Sequence, residues 1–388
     1  MDEETRYLIK MTDAFLHGEK MTMTENINYP LLCMKAKAHN LISIAFSVFN
    51  TAENASAVPE KCRLSASEYF FSSIYLYESQ KKAVENIYNI LNRAEIRHVL
   101  FKGAIIKEYY PVPECRLMGD IDILIDEKNR NAAKKALVSN GYACTAQNGP
   151  VYDYRKGDIL LEVHTNMVNG NKRLSDAFAD AMEHAQFEGC CGKPDDSYHF
   201  AYLIAHLAHH FLFYGAGIKL ILDLAVMLLK CDIDLDFVLK KCEEAGIAKF
   251  AKIVLSVCYK WYHVGKCFVE NTEECEEFLT SYGAFGNLNR NNGAVAARRQ
   301  MESGKKANPI SSKINLAFPS YDQMKEIPYI RFLDGRPWLV PYAWGYRIVY
   351  NVRHRKNLMK NTARGLNSEE TYNIARDELA FFKEIGLL

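Results

Sequence analysis

The chain has 388 residues, of which 49% are hydrophobic and 24% charged, with a formal net charge of +1. That length exceeds one average domain, the balance is that of a soluble globular fold, and near-neutrality removes any global reason to expect a nucleic-acid or membrane partner. Eleven cysteines without a paired spacing motif, an acidic start without a leader pattern, and no apolar run near the roughly 20 residues of a membrane helix together predict reduced thiols and a cytoplasmic setting.

Residues 1–94 read as a helical region. Leu31–Phe49 and Ser67–Arg93 carry apolar residues at three- and four-residue spacing, and Asn50–Pro59 connects them. An α/β segment follows over 95–172. Val99–Phe101 predicts a strand, Lys102-Gly103-Ala104 a tight turn and Ile105–Tyr110 a short helix. After Pro111 and Pro113 comes a second strand carrying Asp120 and Asp122. Glu127–Ser139 is a helix with acids first and lysines later, ended by Asn140-Gly141. Tyr142–Ala146 and Val151–Arg155 read as strands, and Lys156-Gly157-Asp158 turns into Ile159–His164. Residues 173–388 read as helical: Lys193–Ser197 starts Tyr198–Phe213, then come Ile218–Leu229, Asp232–Gly246, Ile247–Val264, Trp344–Lys360 and Ser368–Ile385, with Gly283–Gly293 as a loop. The expected class is α+β, a small mixed sheet flanked by all-α regions.

Side chains two apart on a strand share a face, so Asp120 and Asp122 point one way and Ile121, Ile123 and Ile125 the other, into a core. Paired carboxylates on a buried strand repel and are costly to desolvate. A divalent cation is the simplest neutraliser, because Mg²⁺ favours carboxylate oxygens and leaves positions open for phosphate. Glu162, within the apolar run Ile159–Val163, supplies a third acid. Gly103 offers a bend where the backbone can take positive φ or approach a ligand, and a strand-turn-helix leaves N–H groups suited to phosphate.

The pattern FKGA…RLMGDIDILI…GY…LLEVH, in order and spacing over Ile96–His164, resembles the DNA polymerase β-type nucleotidyltransferase superfamily. More narrowly, it is similar to a bacterial family of uncharacterised nucleotidyltransferases written LKG…R-x-x-GD-x-D…E-x-H. Ala104 departs from the superfamily pattern, where Ser or Gly is usual. The resemblance implies a metal-dependent enzyme that moves an NMP group from an NTP to a hydroxyl acceptor (small molecule, protein or RNA) and releases pyrophosphate. Asp120, Asp122 and Glu162 would then be catalytic and bind two Mg²⁺, with Mn²⁺ as a substitute. Lys102, Gly103, Ala104, Arg116 and Gly119 would contact the nucleotide, with Lys107 close by. His164, His210 and Asp223 are candidate substrate contacts.

Three further features have simpler readings. Cys231–Val238 repeats the Asp-x-Asp look, but Asp232, Asp234 and Asp236 suit an N-cap and a helix first turn. His206 and His210, four apart beside His209, have the spacing for zinc with Asp223, yet packing histidines are the commoner case. Arg347–Arg364 holds six basic residues and no acid, favouring a solvated basic face over a nucleic-acid surface. Two alternatives to transfer stay open: a non-catalytic nucleotide- or partner-binding module on the same fold, and a metallohydrolase centred on His206, His210 and Asp223.

Overall fold

In the computed structural model, which describes residues 1–168, 171–281, 283–284, 292–325, 327–333 and 335–388, the α/β segment forms a seven-stranded mixed sheet. The strands are β1 (His98–Phe101), β2 (Ile121–Ile125), β3 (Ala143–Asn148), β4 (Val151–Lys156), β5 (Ile159–His164), β6 (Ala185–Glu188) and β7 (Cys191–Pro194). Their spatial order is β3-β4-β5-β2-β1-β7-β6. The central strand β2 runs antiparallel to β1 and parallel to β5.

The pleat of β2 separates two layers. Ile121, Ile123 and Ile125 bury against Ala83, Ile87 and Leu91 of the long helix Glu60–Arg93 and against Leu137 of helix Arg130–Ser139. Leu124, with Val99 and Phe101 of β1, belongs instead to the larger core built on helix Asp196–Phe213. By the same alternation Asp122 points into this second layer, where it is 2% exposed. The expected α+β class is what the chain adopts, with helices on both faces of the sheet.

Three departures from the sequence reading have physical causes. The segment expected as one helix over Leu31–Phe49 is two, Tyr29–Ala38 and Ile42–Thr51, because Asn40 takes φ 61 between them. The bend at Lys102 leads into a four-residue helix, Gly103–Ile106, followed by a 3₁₀ turn, Lys107–Tyr109. The region after 172 is not all helical: β6 and β7 form a hairpin, and β7 joins the sheet parallel to β1 through His98↔Cys191 and Val99↔Gly192. Four-residue strands are too short for periodicity to reveal, and their pairing with β1 is set at long range.

The helix expected over Trp344–Lys360 is also two, Val340–His354 and Lys356–Gly365, with Arg355 non-helical at φ −136 between them. Asp195 caps helix Asp196–Phe213 by accepting from the Tyr198 N–H at 2.8 Å. Asp234 caps Leu235–Glu244 by accepting from the Asp236 and Phe237 N–H groups, each at 3.0 Å, so the second Asp-x-Asp run is a helix start. Arg353, Arg355, Lys356, Lys360 and Arg364 are exposed, and Arg347 donates to the Leu316 carbonyl at 2.8 Å. Residues 285–291 of the Gly/Asn-rich run lie outside the described residues. Among the described residues no helix is long and apolar enough to cross a membrane.

Gly192 marks the seam between the hairpin and β1. A Cβ there would meet Phe187 Cε1 and Val99 Cγ2, each at 2.7 Å. Gly192→Ala should therefore destabilise the protein by about 1–3 kcal/mol through overpacking. Urea unfolding measures it, and an unchanged midpoint would contradict the β7–β1 packing.

Candidate active site

The parallel pairing of β2 with β5 sets Asp122 opposite Glu162. Residues in register on neighbouring strands point to one face, about 4.8 Å apart, so the two carboxylates are side by side. His164, two residues beyond Glu162, shares that face. Its Nε2 donates to Asp122 Oδ1 at 2.9 Å and approaches Glu162 Oε2 at 3.2 Å. Lys102 Nζ reaches the same Asp122 oxygen at 2.7 Å. Asp120, immediately ahead of β2, is half-buried.

The charges explain the proton affinities. Burial raises the pKa of Asp122, but Lys102 and His164 outweigh it and hold the carboxyl below its ordinary value. Burial disfavours the Lys102 and His164 cations, yet Asp122 in particular keeps both pKa values above the ordinary ones. At Asp120 the balance is reversed: burial, then Asp122 and Glu162, outweigh Lys102 and push its carboxyl up to about 6. A divalent ion fits this donor set. One ligand atom each from Asp122, Glu162 and His164 lies within 4.8 Å of the others. That group shares Asp122 and Glu162 with the set expected from sequence and contains His164 where the sequence reading put Asp120.

Lys102, not Gly103, takes the positive φ at the bend, at φ 51 and ψ −132. Such a conformation costs a side-chain-bearing residue of the order of 1–3 kcal/mol. Its backbone N–H is not free for phosphate, because it donates to His199 Nε2 at 2.9 Å. Gly103 is required for close approach: a Cβ would meet Arg116 Nη1 at 2.2 Å and Met118 Sδ at 2.9 Å. Ala104 is 7% exposed and turned into the core with Leu100 and Ile121, where a serine hydroxyl would need a partner. Gly119 is exposed, and a Cβ there would meet nothing within 4 Å.

Arg116 is buried and bound to Asp223, with Nε at 3.1 Å from Oδ1 and Nη2 at 2.8 Å from Oδ2. The Tyr110 hydroxyl donates to the same carboxylate at 2.7 Å. The nucleotide contact expected of Arg116 and the substrate contact expected of Asp223 therefore meet each other, tying the loop before β2 to helix Ile218–Lys230. Lys219 is buried beside them, its pKa pulled down to about 8 by burial and then by Arg116. Lys107 is also buried, with Nζ 4.7 Å from the centre of the Tyr77 ring. Asp223, the third ligand expected for His206 and His210, is held by Arg116 and Tyr110. Among the described residues the group of three that could hold a metal ion is Asp122–Glu162–His164.

The histidine-rich helix nevertheless borders the site. A cavity of about 250 Å³ is lined by Lys102, Asp153, Glu162, His164, His206 and His209, together with apolar side chains. His210 is not in that lining; its ring packs against His206 with centroids 4.6 Å apart. Burial holds the pKa values of His209 and His210 down to about 4. Asp153 and His199 were missed from sequence. A two-residue turn at Gly157-Asp158 makes Asp153 the partner of Glu162, so counting back along the hairpin would have found it. No local signal marks His199.

Because folding raises the Asp120 pKa, its contribution to stability is complete below about 4 and lost as pH rises through about 6. In chelator-treated protein, the stability advantage of Asp120→Asn over the parent should be about 2 kcal/mol larger at pH 7.5 than at pH 4.5. Thermal melts at the two pH values check this, and a difference independent of pH would contradict it.

No curated protein and no solved structure matches the chain. A family model described as uncharacterised nucleotidyltransferase matches residues 26–263. The chain belongs to that family.

Proposed function

We propose that the protein transfers a nucleoside monophosphate from an NTP to a hydroxyl acceptor and releases pyrophosphate. The observation that carries this reading is the in-register pair Asp122 and Glu162, with Asp120 just ahead of it on the chain and Glu162 in the lining of a small cavity. Asp120, Asp122 and Glu162, with His164 adjoining, would hold divalent ions, Mg²⁺ by the chemistry of the oxygens. When bound, such ions neutralise phosphate oxygens and make an acceptor hydroxyl easier to ionise.

The remaining work falls to side chains. Lys102, whose side chain is 18% exposed and lines the cavity, can exchange Asp122 for a phosphate oxygen. Glu162, with its side chain 33% exposed, would receive the acceptor's proton. His164 holds both carboxylates in orientation from its buried position. His206 and His209, kept neutral by burial, offer hydrogen bonds to an acceptor in the cavity. The acceptor oxygen attacks the α-phosphorus, the bond to the β-phosphate oxygen breaks, and the proton passes to Glu162.

Incubation of purified protein and Mg²⁺ with each labelled NTP and cell lysate tests the reading through labelled product and pyrophosphate. Asp122→Asn and Glu162→Gln should each lower transfer at least about 100-fold. Undiminished transfer by the double variant Asp120→Asn with Asp122→Asn would overturn the mechanism. Mg²⁺-dependent NTP binding without any product would favour a nucleotide-sensing module.

A further inference from the structure

Strand β1 ends at Phe101 and the next helix begins at Gly103, so Lys102 alone makes the bend. Its φ of 51 and ψ of −132 are not values a lysine adopts unaided, and the peptide must be held from both sides. On the carbonyl side, the N–H groups of Ile105 and Ile106 donate to Lys102 O at 3.2 and 3.0 Å. On the amide side, the acceptor is a side chain from a distant element, His199 Nε2 at 2.9 Å.

His199 is 0% exposed on helix Asp196–Phe213. Because Nε2 accepts, the ring proton sits on Nδ1, which is buried without a hydrogen-bond partner among the described residues. An unmatched buried donor is a cost that a purely packing residue, a leucine or phenylalanine, would avoid. The ring stacks over Tyr202, which packs edge-on to Phe101, the residue before the bend. Burial pulls its pKa down to about 3, so the acceptor lone pair persists across the working pH range.

We propose that His199 is a positioning residue: it fixes the Lys102 peptide so that the ammonium is aimed at Asp122, and so that only the side chain moves when a nucleotide phosphate competes for it. The second half rests on the transferase reading; the first does not. The backbone stays anchored from the helix that also lines the cavity, which makes this helix part of the site's frame rather than a metal centre.

Two variants separate the acceptor from the shape. His199→Phe keeps a ring and loses the acceptor; His199→Gln keeps an acceptor of similar reach. Amide exchange at Lys102 is read first. It should accelerate at least about tenfold in His199→Phe and stay within about threefold of wild type in His199→Gln. Binding of Mn²⁺ with a non-hydrolysable ATP analogue is read second, by calorimetry. His199→Phe should weaken it at least about tenfold while Mn²⁺ alone binds within about twofold of wild type, and His199→Gln should restore it.

Unchanged Lys102 exchange in His199→Phe overturns the proposal, as does a glutamine variant as deficient as the phenylalanine one. Should the phenylalanine variant not fold, the nitrogen-15 resonance of His199 Nε2 in wild type decides: an unprotonated nitrogen supports the proposal and a protonated one defeats it. If wild type binds no nucleotide, the transferase reading fails, while the exchange comparison still decides the role of His199.

Discussion

Two carboxylates on adjacent parallel strands, in register and facing one layer, impose the constraint from which the rest of the site follows. The Asp122 side chain is 3% exposed, so water cannot screen its charge, and the protein must answer it from within. Lys102 and His164 converge on one Asp122 oxygen, at 2.7 and 2.9 Å. The bend after β1 exists to deliver the first of these, and β5 delivers the second together with Glu162. Breaking such a buried pair on one side leaves a charge whose desolvation is not offset, and Asp122 is answered from two elements, the bend after β1 and strand β5.

A second buried charge system sets the geometry of the first. Asp223 takes both nitrogens of Arg116 and the Tyr110 hydroxyl, and its pKa stays low because Arg116 outweighs burial. Arg116 also fills the space beside Gly103, so the glycine, the arginine and the aspartate form one mechanical unit. Gln80 of the long helix adds a bond from Nε2 to the Met118 carbonyl at 2.9 Å, pinning the loop that leads into Asp120. The chain between Tyr110 and Asp120 is therefore held at several points, and the carboxylates inherit that rigidity.

Much of this was legible in the sequence wherever periodicity and counting suffice. The isoleucines at 121, 123 and 125 announced a buried strand face and left the aspartates on the other. Glu162 could be placed on a strand by its apolar neighbours, and the register then brought it beside Asp122. What could not be read depended on contacts between distant segments. The β6–β7 hairpin owes its form to β1; the positive φ falls on Lys102 because His199 and the helix hold its peptide; Gly103 is small because Arg116 lies against it. Arg116 and Asp223 were each expected to meet a ligand, and a local pattern has no means of showing that they meet one another.

The central claim is that Asp122 and Glu162 hold divalent ions at the mouth of the cavity. Anomalous diffraction from crystals soaked in Mn²⁺ with a non-hydrolysable NTP analogue tests it most directly. The account predicts a peak between Asp122 and Glu162, with Asp120 or His164 completing the protein ligands and the Lys102 ammonium turned toward phosphate. A peak at His206 and His210, or none while the analogue is bound, would contradict it.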